Sequence, residues 1–153
     1  MKFSSASIAP FFLALGTALP AAEKAEVGKD AWKILGLEAS AEPHGSITHF
    51  GFDIEIGAEV FTCSATGESY QTLGVLPRTH CADSPVDFAW ESRPVGGALL
   101  TVWLEVSAGS WSHATHDIHA DLITWANEQV PTGKIQVYSG PKDLTLDVVV
   151  LGE

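Results

Sequence analysis

Basic residues are scarce in this sequence. Eight Lys and Arg stand against 19 Asp and Glu among 153 residues, a formal net charge of −11. So acidic a surface repels phosphates, which argues against nucleic acid as a partner and against docking on an anionic membrane face. Past the N-terminal segment no apolar run approaches the ~20 residues that a membrane-spanning helix needs. Asparagine occurs once, at Asn127 in NEQ, so there is no N-x-S/T acceptor for a glycan. No glycine motif of the Walker or dinucleotide type is present. The serines of GSWS, residues 109–112, precede His113 without forming a G-x-S-x-G elbow. Carboxylates are plentiful, but nothing in their spacing marks a glycosidase pair. A secreted hydrolase therefore has no motif behind it. The chain reads as non-enzymatic, with no cofactor.

The first charge after Lys2 is Glu23, and between them lies an apolar run from Ile8 to Leu15 followed by small residues. That order of regions is a secretory signal. The expected signal peptide covers residues 1–22, with cleavage between 18 and 22. Pro10, Pro20 and the shortness of the run argue against a membrane span. The rest, residues 23–153, suits a single secreted, extracellular domain.

Cysteine occurs twice, at Cys63 and Cys81. Outside the cell such a pair is normally a disulfide; the competing readings are two free thiols or a catalytic thiol, and no C-x-x-C pair supports a redox role. The residues between the cysteines are polar and turn-rich, including Gly67, Ser69, Gly74 and Pro77. A bridge over so small a loop removes ~3 kcal/mol of unfolded-state freedom on the chain-entropy view.

Along the body of the chain, short alternating segments are separated by turn residues. SITHFGFDIEI (46–56), EVFTCSA (59–65), VDFAWES (86–92), ALLTVWLEVS (98–107), KIQVYS (134–139) and DLTLDVVVL (143–151) are expected strands, and AWKILGL (31–37) is the first of them. HDIHADLITWA (116–126) reads as a further strand or as a helix, and NEQVPTG (127–133) as a short helix or irregular loop. Turns every 8 to 12 residues point to an all-β fold, a compact antiparallel β-barrel or sandwich of about seven to ten short strands with one disulfide.

The segment WSHATHDIHAD carries His113, His116 and His119 at intervals of three. Imidazoles suit zinc or copper, so these three are the candidate metal ligands. On a strand, however, a spacing of three sends successive side chains to opposite faces, and the segment is then a polar, proton-responsive strand edge. Of the five tryptophans, Trp32, Trp90 and Trp103 are expected in the core. Trp111, beside Gly109 in a polar stretch, is the candidate contact surface, and Trp125 is undecided.

AWKI (31–34), then FGFDIEI, then FTCSA with a second cysteine 18 positions after the first, form an ordered set. That set resembles the secreted fungal family typified by the major allergen of Alternaria alternata, which includes elicitors of plant hypersensitive responses. The resemblance covers residues 31–81, about a third of the chain. It implies a compact antiparallel barrel, with Cys63 and Cys81 as the loop-closing bridge. It also implies an effector, elicitor or allergen-like role at a host or cell-surface interface. The partners it implies are a host defence protein or a small apolar ligand. An extracellular barrel binding a small ligand or a metal is the alternative. Family members often carry a second disulfide and an N-terminal cysteine that ties a dimer covalently. This chain has neither, so a monomer or a non-covalent homodimer is expected.

Overall fold

A computed structural model describes residues 31–127 and 133–149. The expected signal peptide lies outside them, as does most of the 127–133 segment. The described chain forms ten strands: β1 (Trp32–Ala41), β2 (Ile47–Ile56), β3 (Glu59–Glu68), β4 (Leu76–His80), β5 (Val86–Ser92), β6 (Ala98–Ser107), β7 (Ser110–Ile118), β8 (Ile123–Asn127), β9 (Lys134–Tyr138) and β10 (Leu144–Val149). They make a nearly closed antiparallel barrel in the order β3-β2-β1-β10-β7-β6-β5-β4. The remaining two strands extend this path. β8 continues the line of β7 after a 3₁₀ turn at Ala120–Leu122, and it pairs with β9. β9 continues the line of β10, and both pair with β1.

Period-two alternation decides what faces inward. β2 buries Phe50, Phe52, Ile54 and Ile56, β5 buries Val86, Phe88 and Trp90, and β6 buries Leu100, Val102 and Leu104. The two sides meet through aromatic rings. Phe52 and Phe88 make an edge-to-face pair with centroids 5.0 Å apart, and Phe50 lies 5.4 Å from Trp90. Such pairs add roughly 0.5–1.5 kcal/mol each beyond the apolar area they bury.

One strand must bend to serve two partners. The register of β1 against β2 slips by one residue between Leu35 and Glu38. Gly36 sits in that bulge at φ +66°, a conformation that costs other residues roughly 1–2 kcal/mol. The bulge is fastened from the far side. Gly36 N–H donates to Asp143 Oδ1 at 3.0 Å, Leu37 N–H to the Lys142 carbonyl at 2.8 Å, and Lys142 Nζ to Glu38 Oε1 at 2.6 Å.

Strands β3 and β4 end the strand order, and the disulfide Cys63–Cys81 ties them with Cα atoms 4.8 Å apart. The bridge thus clasps the barrel seam. The segment it encloses differs from the polar loop expected: Leu73 and Leu76 are both buried, and residues 76–80 are a strand. Pro77 hid that strand, and an edge strand tolerates proline because it has a ladder on one side only. The 116–126 segment also differs. It splits into the end of β7, the 3₁₀ turn and β8, because the strand runs through His113 and His116 and stops at Ile118.

Candidate recognition surface

The outward faces of β4 to β7 gather the most interconnected side chains of the described residues. Register sets the arrangement. His80 pairs with Asp87, Asp87 with Trp103, and Trp103 with His113, forming one row across four strands. Trp111 stands opposite Glu105 on the next row. Arg78 and His80 both project outward from β4, being two residues apart on a strand.

Asp87 is the hub of this face. Its Oδ2 accepts from Arg78 Nε at 2.7 Å, and its Oδ1 accepts from His80 Nδ1 at 2.8 Å. The Asp87 side chain is only 14% exposed, so this ion pair is less screened than an ordinary surface pair. The Arg78 guanidinium then reaches over β5 to two indoles. Its central carbon lies 4.7 Å from the Trp103 ring centroid and 4.2 Å from that of Trp111. Each such contact contributes about 0.5–2 kcal/mol, depending on desolvation. The Arg78 side chain stays 40% exposed, and its Nη groups have no hydrogen-bond partner among the described residues. A rigid donor fork therefore faces solvent, flanked by half-buried indoles and by imidazoles.

Trp111 belongs to this cluster, and so does Trp103, which was expected in the core. The correction follows from alternation: Leu100, Val102 and Leu104 take the inward face of β6, which turns Trp103 outward, where Arg78 covers it. Trp32 and Trp90 are buried as expected, and Trp125 is exposed. Arg78 and His80 escaped the sequence reading because β4 was not recognised, and Asp87, on the expected strand β5, was passed over because its partners lie on β4. The alternation in RTH, residues 78–80, was the available signal.

The three spaced histidines do not converge. His113 shares the outward row with Trp103, His116 stands opposite the inward-facing Leu100, and His119 is exposed beyond the end of β7. Among the described residues no group of three or more His, Cys, Asp or Glu is arranged to hold a metal ion. Among the described residues, open depressions also lie elsewhere. One is on the outer face of β1 to β3, around Ser40, His49, Gly51 and Ser64. Another is at one barrel end beside the Arg93–Asp117 ion pair.

No model of a known protein family matches this sequence, and no curated protein sequence is significantly similar to it. Solved structures do match. The crystal structure of the Alternaria alternata major allergen Alt a 1 superposes with a TM-score of 0.54 at 22% identity, over 82% of this chain and 98% of that one. The one-disulfide barrel built above, with its seam between β3 and β4, therefore has the fold of the Alt a 1 allergen.

Proposed function

We propose that this chain is a secreted, non-enzymatic protein that acts by binding at a host or cell surface, in the manner of an effector, elicitor or allergen. The observation that carries the reading is the solvent-facing ensemble of Arg78, Trp103, Trp111 and Asp87. Tryptophan and arginine are the residues most enriched where binding energy concentrates. Here they are held in place before any partner arrives, by two 2.7–2.8 Å hydrogen bonds to one carboxylate and by two ring contacts, so little ordering entropy is lost on binding. The disulfide fits an oxidising, extracellular setting, and the shared fold with an allergen fits a protein met outside its producer. An open face studded with charged groups suits a surface component better than a small apolar ligand, which calls for an enclosing pocket.

The test is infiltration of the purified, oxidised protein into leaf apoplast, beside its Trp111→Ala and Arg78→Ala variants. The expected result is a change in defence output that both variants weaken. A wild-type protein that neither triggers nor dampens defence in several hosts, where an active protein of the same fold does, overturns the reading.

A further inference from the structure

We propose that the β4–β7 face binds a neutral pyranose chain, with the solvent-exposed parts of Trp103 and Trp111 as apolar contacts and Arg78, His80, Asp87 and His113 as hydrogen-bonding groups. The inference rests on the reading of this face as the recognition surface and names its ligand. Four observations point to carbohydrate.

The first is the mixture on the face. A pyranose presents apolar C–H patches ringed by hydroxyls, each hydroxyl both donor and acceptor. The row His80–Asp87–Trp103–His113 sets one indole among three planar polar groups, and Trp111 sits one row away. Stacking and hydrogen bonding are thus available within one strand spacing of each other.

The second is prior order. Asp87 holds Arg78 and His80 at once, and the two indoles hold the guanidinium. Sugar hydroxyls compete with water on nearly equal terms, so net affinity requires partners already fixed in place.

The third is charge. Within the cluster the Asp87 carboxylate offsets the Arg78 guanidinium, and around it the chain carries a net −11. A uronate, sulfate or phosphate polymer meets repulsion at this surface, whereas an uncharged chain does not.

The fourth is what the face lacks. The core of a protein–protein interface is apolar. Among the described residues the exposed aliphatic side chains are dispersed singly, including Val60 on β3, Val75 just before β4, Val95 in the β5–β6 turn and Val106 on β6, so the indoles have charged and polar side chains as their nearest row neighbours. The cluster is also an open face of four adjacent strands, along which a chain can lie.

The experiment titrates the oxidised full chain with cellohexaose and with chitohexaose, following tryptophan fluorescence and calorimetry. Trigalacturonate serves as the anionic comparison. The expected result is saturable binding of at least one neutral hexaose, weakened at least about tenfold by Trp111→Ala and by Arg78→Lys. The lysine variant keeps the charge and loses the planar fork, and melting curves establish that both variants stay folded. Preference for cellohexaose or for chitohexaose distinguishes a plant-type from a fungal-type wall glycan, and either supports the proposal. No saturable signal with either hexaose, equal binding by Trp111→Ala, or tighter binding of trigalacturonate overturns it. If the variants lose leaf activity while no hexaose binds, the face belongs to a protein partner: the carbohydrate proposal fails and the surface reading stands.

Discussion

Arg78 shows how one side chain serves two ends. It fastens the edge strand β4 to Asp87 on β5, and it presents a guanidinium edge to solvent. Arg78→Ala is expected to lower stability by about 1–2 kcal/mol in denaturant titration, since it removes a charge-assisted bond and two ring contacts. Arg78→Lys should recover less than half of that loss, because an ammonium cannot reproduce the fork. Tyr138 makes the second residue-scale prediction. Burial raises its pKa above the usual phenol value, and its hydroxyl donates to the Pro141 carbonyl at 2.7 Å. The neutral phenol is thus favoured in the fold. Stability from this group is complete below the unfolded-state pKa, near 10, and is lost as pH rises through the higher folded value. Denaturation midpoints should therefore fall above about pH 10, and less steeply in Tyr138→Phe. At this scale the core was largely legible, since Trp32, Trp90 and Phe88 lie on the faces that alternation selects. Trp103 was misplaced because size was allowed to outweigh parity: its strand neighbours Val102 and Leu104 already occupy the inward face.

Among the elements, β2, β3, β5 and β6 were visible because each alternates apolar and polar residues or sits between clear turns. β4 was not, and β7 was read as a strand only in one alternative, for related physical reasons. β4 is five residues on a sheet edge, with Pro77 and Arg78 at a register irregularity, and little of it is buried. β7 carries Ser112, His113, Thr115 and His116 between its few buried positions, so its pattern resembles a loop. Its strand state comes from two flanking ladders, to β6 and to β10, and that information lies elsewhere in the chain. The β1 bulge yields a sharper prediction. A Cβ on Gly36 meets no atom within 4 Å, so Gly36→Ala isolates the backbone cost of φ +66°. A loss of about 1–2 kcal/mol in equilibrium unfolding is expected. A neutral or stabilising substitution would show that the strand relaxes to a regular register.

At the scale of the whole molecule, barrel class was legible from turn spacing, while the closure was not. A cysteine pair in sequence does not reveal that its two strands are the two ends of the sheet, which only the order β3-β2-β1-β10-β7-β6-β5-β4 shows. Replacing Cys63 and Cys81 with alanine should cost about 3 kcal/mol on the chain-entropy estimate. Hydrogen exchange should then reveal early loss of protection in β3 and β4, with β6 and β7 protected longest; uniform loss would contradict the seam role. The same topology bears on how the chain is made. The clasp spans a sequence separation of only 18, whereas the ladder that joins β1 to β10 pairs Trp32 with Leu146. During N-to-C synthesis both cysteines emerge while β9 and β10 are still unmade. Oxidation can seal the β3–β4 side first, so β10 enters later as the closing wedge between β1 and β7. Until it arrives, those two strands are bare edges open to pairing with other chains. A chain stopped before Leu144 should accordingly form its disulfide and still aggregate, so the vulnerable interval in this protein's production lasts until β10 is made.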